Sequence, residues 1–174
     1  MTVVAETERL LLRAFIEMDA EAAESFWGNA DIMSQSGGAT SKEALPRVLK
    51  AYQECHSMNQ VSVYAVVEKE TNHVIGAAGF NVTGPLEHIE LIYHFSQACW
   101  GKGFAAEAAA ACLQLAKKHP DVLWVYASAD PENRASLKIL ERLGFTFKRM
   151  QWFEDTQQEE PYYELDVRTK VNSD

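Results

Sequence analysis

The stretch that decides the fold reads Trp100-Gly101-Lys102-Gly103-Phe104-Ala105-Ala106-Glu107. A β-rich run over residues 88–96 ends just before it, and an alanine-rich helix is predicted from residue 101 to residue 118. A glycine-rich turn that leads directly into a helix leaves free backbone N–H groups at the positive end of the helix dipole. Glycine also lets the backbone approach a phosphate closely. The pattern therefore predicts a diphosphate site, although the same turn also occurs without a ligand.

Two other phosphate-binding loops do not fit this stretch. The Gly-x-x-x-x-Gly-Lys-Ser/Thr spacing of nucleotide hydrolases is absent. The dinucleotide-binding fingerprint needs a third glycine where this sequence has Ala106. Nucleotide hydrolysis and dinucleotide-dependent chemistry are therefore disfavoured.

The apolar pattern on both sides of the loop predicts a mixed α/β order rather than a regular doubly wound sheet. Seven strands are expected at residues 10–14, 61–68, 74–80, 88–96, 122–129, 145–153 and 162–168. Four helices are expected at residues 17–27, 101–118 and 133–143 and in a segment that follows a cap at Ser41. Residues 31–40 read as a loop, and residues 122–129 read as a strand covered on both faces. No linker or repeat interrupts the chain, so residues 1–174 are predicted to form one domain.

Composition narrows the possible partners. The chain carries 16 basic and 25 acidic side chains, for a net charge of −9, which disfavours a nucleic-acid partner. The charge favours a cationic partner mildly, although solubility alone explains it. No apolar stretch approaches the ~20 residues that span a bilayer, and no signal-peptide pattern opens the sequence. The expectation is a cytoplasmic protein without a membrane partner.

The cysteines and histidines predict no metal site. Cys55, Cys99 and Cys112 are widely spaced and form no Cys-x-x-Cys pair. The histidines likewise lack ligand spacing such as His-x-x-x-His. Neither a disulfide scaffold nor a metal requirement is expected, which agrees with a reducing compartment.

Three blocks of sequence resemble one enzyme family. They are the loop at residues 100–107, a later block of residues 133–136 with 140–145, and the opening Thr7-Glu8-Arg9-Leu10-Leu11-Leu12-Arg13. Together they resemble the RimJ/RimL-like branch of the GNAT superfamily of N-acetyltransferases, a branch named for ribosomal-protein N-terminal acetyltransferases. The resemblance runs from about residue 6 to residue 167. It implies a GNAT fold with a mostly antiparallel sheet of six to seven strands and about four flanking helices. The sheet would be splayed between the fourth and fifth strands, with acetyl-CoA in the gap.

The resemblance also implies an activity. An acetyl group would pass from acetyl-CoA to a primary amine, either a protein N-terminus or a small amine, by direct attack in a ternary complex. Two alternatives remain, namely an acyl-CoA-binding module without catalysis and an interaction domain without any ligand. The sequence does not identify the acceptor, whose wall we expect in residues 17–58. A homodimer is expected only from the habits of the branch.

Acetyl-CoA contacts follow from the same resemblance. Backbone amides of residues 101–105 would bind the pyrophosphate, and Lys102 is either a point charge on a phosphate or solvated. Backbone groups of residues 93–95 would pair with the pantetheine arm, and Asn133, which caps the helix at residues 133–143, would lie near that arm. Arg142, late in the same helix, either reaches an adenosine phosphate or is solvated. The expected set is Tyr93, His94, Phe95, Trp100, Gly101, Lys102, Gly103, Phe104, Ala105, Asn133, Ser136 and Arg142.

The catalytic groups are less directly implied, because the sequence departs from the superfamily. Ala98 replaces the Gln or Arg that usually opens the loop, and Leu140 replaces the tyrosine that often protonates the leaving thiolate. Ser136, one helical turn earlier, is the candidate for that proton donor. Glu90 is the candidate general base, with His94 and Tyr93 as weaker ones. The alternative for Glu90 is a rim carboxylate that only attracts the cationic acceptor.

Overall fold

The computed structural model describes residues 1–168 as an eight-stranded sheet with helices on both faces. Residues 169–174 of the predicted domain lie outside this described part. The strands are β1 (Val3–Glu6), β2 (Leu10–Arg13), β3 (Val63–Glu68), β4 (His73–Asn81), β5 (His88–Phe95), β6 (Trp124–Ser128), β7 (Thr146–Phe153) and β8 (Gln158–Asp166). The helices are α1 (Asp19–Ala23), α2 (Ala30–Met33), α3 (Leu45–Asn59), α4 (Phe104–Lys118) and α5 (Arg134–Arg142), with a 3-10 turn at Gln97–Cys99.

The sheet is mostly antiparallel, as predicted. Its strand order is β1-β2-β3-β4-β5-β6-β8-β7, and the β5–β6 pair is parallel. The sheet has one strand more than the six to seven expected, because Val3–Glu6 pairs with β2. This strand has only four residues, too few to show the alternating pattern on which a strand prediction depends.

The predicted splay falls between β5 and β6, since β1 shifts the strand count by one. The two strands pair only at His88↔Trp124, Ile89↔Val125 and Glu90↔Tyr126. The β4–β5 ladder, in contrast, continues as far as Phe95. The second half of β5 therefore leaves β6 and opens a gap in the sheet.

Two apolar layers cover the sheet. Helix α4 packs on one face through a stripe of small and aromatic side chains, Phe104, Ala108, Ala109, Cys112, Leu113 and Ala116. Helices α1 and α3 cover the other face, where Phe15, Phe26 and Trp27 pack against β3 and β4. The helical spacing of the α4 stripe is what predicts this helix from sequence.

Local contacts change several predicted boundaries. The helix expected at residues 17–27 shortens to α1, whose start is held by a buried ion pair between Arg13 and Asp19 at 2.7 Å. The short α2 overlaps the start of the loop expected at residues 31–40, and Asn29 caps this helix through its side-chain oxygen. Ser41 supports the turn before α3 by accepting from the Ala44 N–H, and the helix itself begins at Leu45. Strand β6 is buried on one face only.

Candidate active site

A cavity of about 980 Å³ opens where β5 leaves β6. It runs from the loop before α4, along β5, to the loops that follow α1 and β7. Of the sequence-predicted site residues, it gathers Glu90, Tyr93, His94, Phe95, Trp100, Gly101, Gly103, Phe104, Ala105, Asn133, Ser136 and Arg142. Lys102 does not line it.

The loop before α4 has the conformation that only glycine adopts readily. Gly101 and Gly103 have φ angles of +78° and +81°, in the left-handed region. Gly103 is the N-cap of α4, and no side chain caps this helix start within residues 1–168. Trp100 anchors the loop by donating its indole N–H to the Phe95 carbonyl at 3.0 Å. The first amides of α4 are therefore available to an anion.

A polar clamp connects this loop to the turn between β1 and β2. The Nε of Arg9 lies 2.7 Å from a Glu107 carboxylate oxygen, and its Nη1 donates to the Lys102 carbonyl at 2.8 Å. Thr7 donates to the second Glu107 oxygen at 2.5 Å. The guanidinium also lies 4.4 Å from the centre of the Phe104 ring. Thr7 and Arg9, from the opening sequence block, thus hold the loop against the start of α4.

The free edge of β5 presents backbone groups to the gap. Ser96 donates its N–H to the Ile75 carbonyl at 3.0 Å, so even-numbered residues of β5 pair with β4. The alternation of an antiparallel ladder then directs the backbone of Tyr93 and Phe95 toward the gap. The backbone of His94 faces β4, so this residue contributes its side chain rather than its amide.

Glu90 lies at the end of a chain of hydrogen bonds. Its carboxylate accepts from the Asn81 amide at 3.1 Å, and the Asn81 oxygen accepts from the Tyr52 hydroxyl at 3.0 Å. Burial raises the pKa of Glu90, the Asn81 hydrogen bond opposes this, and the charges of Asp155 and Glu160 raise it further. Burial also raises the pKa of Tyr52 to about 12, so its hydroxyl stays a donor. Glu90 is thus an oriented carboxylate with increased proton affinity.

The His94 side chain is a poor base in this environment. Its Nδ1 accepts a hydrogen bond from the Trp27 indole N–H at 3.1 Å. Burial lowers the pKa of His94 to about 4, so the imidazole is neutral at pH 7. One nitrogen is occupied as an acceptor, and the charged form of the ring is disfavoured.

Tyr93 and Ser136 form a hydroxyl pair across the gap. Their oxygens are 2.8 Å apart, and Asn133 caps α5 by accepting from the Ser136 N–H at 3.2 Å. Burial raises the pKa of Tyr93 to about 12, against the opposing effect of its bond to Ser136. Leu140, at the position of the missing tyrosine, is buried in the core. Tyr93 and Ser136 therefore place two hydrogen-bonded hydroxyls beside α5 in the gap.

The far end of the cavity is acidic, and sequence reasoning missed it. Asp31, Asp130, Asp155 and Glu160 line this end. The Gln158 amide bridges Asp130 and Glu160 at 2.8 and 3.2 Å. Glu160 is only 4% exposed, and burial raises its pKa, with Gln158 opposing and Asp155 adding to the effect. Asp31 lies in α2, Asp130 follows β6, Asp155 lies between β7 and β8, and Glu160 lies in β8, so no single spacing pattern predicts the cluster.

The described residues also bear on the requirements of a metal site, a membrane span and a reactive thiol. Residues 1–168 contain no group of three His, Cys, Asp or Glu side chains placed to hold a metal ion. In the same residues no helix is both long and apolar enough to cross a membrane. The three cysteines are free, and burial raises the pKa of the Cys112 thiol to about 12.

Known proteins resemble this chain in sequence and in fold. The sequence profile described as an acetyltransferase (GNAT) domain matches residues 9–146. An uncharacterized N-acetyltransferase, p20, of Bacillus licheniformis is 28% identical over 142 residues, which cover 80% of each chain. A GNAT-family acetyltransferase from Bacillus anthracis superposes with a TM-score of 0.81 at 23% identity, covering 96% of this chain and 99% of the other.

A structural neighbour was solved with the ligand that the gap suggests. The ribosomal L7/L12 α-N-protein acetyltransferase RimL in complex with coenzyme A has a TM-score of 0.75 at 16% identity, covering 94% of this chain and 97% of the other. At that identity the likeness concerns the fold alone. The profile match spans most of the chain, and the sheet is splayed where this fold requires it. The chain therefore belongs to the GNAT acetyltransferase family.

Proposed function

We propose that this protein transfers the acetyl group of acetyl-CoA to a primary amine by direct attack in a ternary complex. The observation that carries the proposal is the gap between β5 and β6. It joins a glycine-rich anion site at one end to buried carboxylates at the other. Family membership supports acetyl transfer. The acceptor, the base, the proton donor and the acetyl-CoA contacts are our inference.

Acetyl-CoA would lie along the free edge of β5. The amides of residues 101–105 suit its pyrophosphate, because both glycines hold left-handed φ angles that turn the backbone toward the ligand. The backbone of Tyr93 and the N–H of Phe95 suit the pantetheine amides, in the manner of an added strand, while the Phe95 carbonyl accepts from Trp100. Arg142 also lines the cavity and is a candidate for an adenosine phosphate. Lys102 could meet a phosphate only from outside the cavity lining.

Glu90 is our candidate for the general base. An acceptor amine arrives as an ammonium and must lose a proton before its nitrogen can attack the thioester carbonyl carbon. Asn81 orients the Glu90 carboxylate, and the raised pKa increases its affinity for that proton. Glu160 is the second candidate, because it is also buried on the cavity with a raised pKa.

Tyr93 and Ser136 are our candidates for the proton donor. When the new C–N bond forms and the C–S bond breaks, the sulfur of coenzyme A leaves as a thiolate that needs a proton. The hydroxyl of Ser136 lies on the α5 side of the gap, 2.8 Å from that of Tyr93. The raised pKa of Tyr93 keeps it protonated, so the pair can supply a proton.

The acidic end of the cavity favours an acceptor that arrives as a cation. Asp31 and Asp155 are exposed, and Asp130 is half-buried. A primary ammonium, from a protein N-terminus or a small molecule, is attracted by such a field. Two structural neighbours are named as acetyltransferases of the ribosomal protein L7/L12, so their acceptor is a protein.

An acceptor screen tests the proposal. Purified protein would be incubated with acetyl-CoA and a panel of amines, including peptides with free N-termini, while released thiol is measured. We expect thiol release that depends on a subset of amines, and a melting temperature that rises with acetyl-CoA. A rise in melting temperature without turnover for any amine would indicate a binding module. The absence of both effects would refute the assignment of the gap.

A further inference from the structure

Trp27 and His94 share a hydrogen bond whose direction is fixed by chemistry. The indole nitrogen and the imidazole Nδ1 are 3.1 Å apart. An indole N–H can only donate, so Nδ1 of His94 must be the acceptor and carries no proton. A neutral imidazole has one N–H, which therefore lies on Nε2. The pair thus specifies one tautomer of His94.

Aromatic rings pack around the indole that makes this bond. Trp27 is 4% exposed, and its ring centre lies 5.3–5.6 Å from those of Phe15, Phe26 and Tyr52. Burial also lowers the pKa of His94 to about 4, which keeps the ring neutral at pH 7. A protonated ring would place an N–H on Nδ1, directly against the indole N–H. Packing and charge therefore favour the same Nε2–H form.

The remaining N–H of His94 faces the cavity. His94 lines it, and within residues 1–168 its Nε2 makes no hydrogen bond. Nε2 is also not among the fully buried polar atoms that lack a partner. It is therefore open to whatever fills the cavity. On β5, His94 points to the same face as Glu90, because alternate residues share a face.

We propose that Trp27 is a positioning residue that fixes His94 as its Nε2–H tautomer, and that this N–H binds an oxygen atom of the acceptor amine. The proposal rests on the proposed acetyl transfer. A neutral N–H donor suits a carbonyl or hydroxyl oxygen, so the favoured acceptors are amines with such an oxygen along their chain. Glu90 and His94 are four residues apart on one strand face, about 13 Å between Cα atoms. The oxygen therefore lies further along the acceptor than the reacting nitrogen.

The test uses Trp27→Phe, which keeps an aromatic ring in the packing and removes the N–H. Trp152→Phe is the matched control, because Trp152 donates its indole N–H to Glu154 at the surface, outside the cavity lining. Nitrogen NMR of histidine-labelled full-length protein reports which ring nitrogen is protonated. We expect wild type and Trp152→Phe to show His94 with the proton on Nε2 alone. Trp27→Phe should show a mixture of both tautomers.

Kinetics test the second half of the proposal with two acceptors of similar length, one with chain oxygens and one a plain alkylamine. In Trp27→Phe we expect KM for the oxygen-bearing amine to rise by the inverse of the fraction of His94 that stays in the Nε2–H form, about twofold for equal populations. The alkylamine KM, kcat and the acetyl-CoA Kd should not change. The full loss of one hydrogen bond, up to roughly tenfold in KM for the oxygen-bearing amine, is expected in His94→Ala. His94→Gln, which can place an N–H near the Nε2 position, should retain the preference for oxygen. His94→Ala should lose it.

Different results overturn different statements. A proton on Nδ1 of His94 in wild type would overturn the role of Trp27. An unchanged ratio of the two KM values in both Trp27→Phe and His94→Ala would overturn the oxygen contact. If Trp27→Phe melts far below wild type, the two His94 variants decide the contact. A lack of thiol release with every amine tested would instead refute the proposed acetyl transfer, and the wild-type spectrum would still decide the tautomer.

Discussion

Replacing Gly101 by alanine tests the anion site with a control that the chain itself provides. Gly101 has φ +78°, and a Cβ added there meets no atom of the described protein within 4 Å. Gly38 has φ +93° and also meets nothing within 4 Å, but it does not line the cavity. Both substitutions force an L-residue into the left-handed region without a clash. Gly101 lines the cavity at the proposed phosphate site, and Gly38 does not.

The stability loss should be similar for the two variants. A non-glycine residue in the left-handed region costs about 1–2 kcal/mol, and a domain of this size loses roughly 2–4 °C in Tm per kcal/mol. Binding should separate them. In Gly101→Ala the Cβ either occupies the open space before the loop or shifts the backbone and redirects its amides. Because one hydrogen bond to a charged group contributes about 1.5–3 kcal/mol, we expect the acetyl-CoA Kd to rise at least about tenfold.

Calorimetric titration with acetyl-CoA and thermal unfolding measure the two effects separately. Gly38→Ala should bind acetyl-CoA with the wild-type Kd while losing a similar Tm. If Gly101→Ala also binds like wild type, the loop does not contact the pyrophosphate and our reasoning on its conformation is wrong. If Gly38→Ala weakens binding equally, the effect comes from global destabilisation.

Four further results are expected. Glu90→Gln should lower kcat by about 10²–10⁴-fold at an unchanged acetyl-CoA Kd, and the loss should shrink as pH rises toward the pKa of the amine. Glu159→Gln, at an exposed position, is the control. If kcat falls only in Glu160→Gln, then Glu160 and not Glu90 is the base. Tyr93→Phe and Ser136→Ala should each lower kcat, and the double variant should lose little more than either single one, since the two hydroxyls are hydrogen-bonded; additive losses would separate their roles. Burial raises the pKa of Glu107, but hydrogen bonds from Thr7 and Arg9 lower it more, so the carboxylate stabilises the fold above its unfolded pKa. Urea unfolding of Glu107→Gln should therefore show lower stability than wild type at pH 7, and the difference should disappear as pH falls through the native pKa. Dialysis against a chelator should leave thiol release unchanged, and activity restored by added zinc would contradict this.

The sequence alone determined the features that depend on neighbours in the chain. Gly101, Gly103 and the alanine-rich stretch after them specify a left-handed turn and a helix start, because φ preference and helix periodicity act over a few residues. Asn133 as a cap follows from the same local rules. The three family blocks, read in order, predicted the splayed sheet and the place of the gap.

Only the tertiary structure decided which side chains meet inside that gap. Tyr52 and Asn81 are 29 residues apart, Tyr93 and Ser136 are 43 apart, and Trp27 and His94 are 67 apart. Each contact depends on strand register and on how helices pack across the sheet, and a shift of one residue would turn these side chains to the opposite face. A single sequence carries no spacing rule for such pairs. The hydrogen-bonded environments of Glu90 and His94, and the pKa shifts that burial produces there, therefore arise only when the folded chain removes those groups from water.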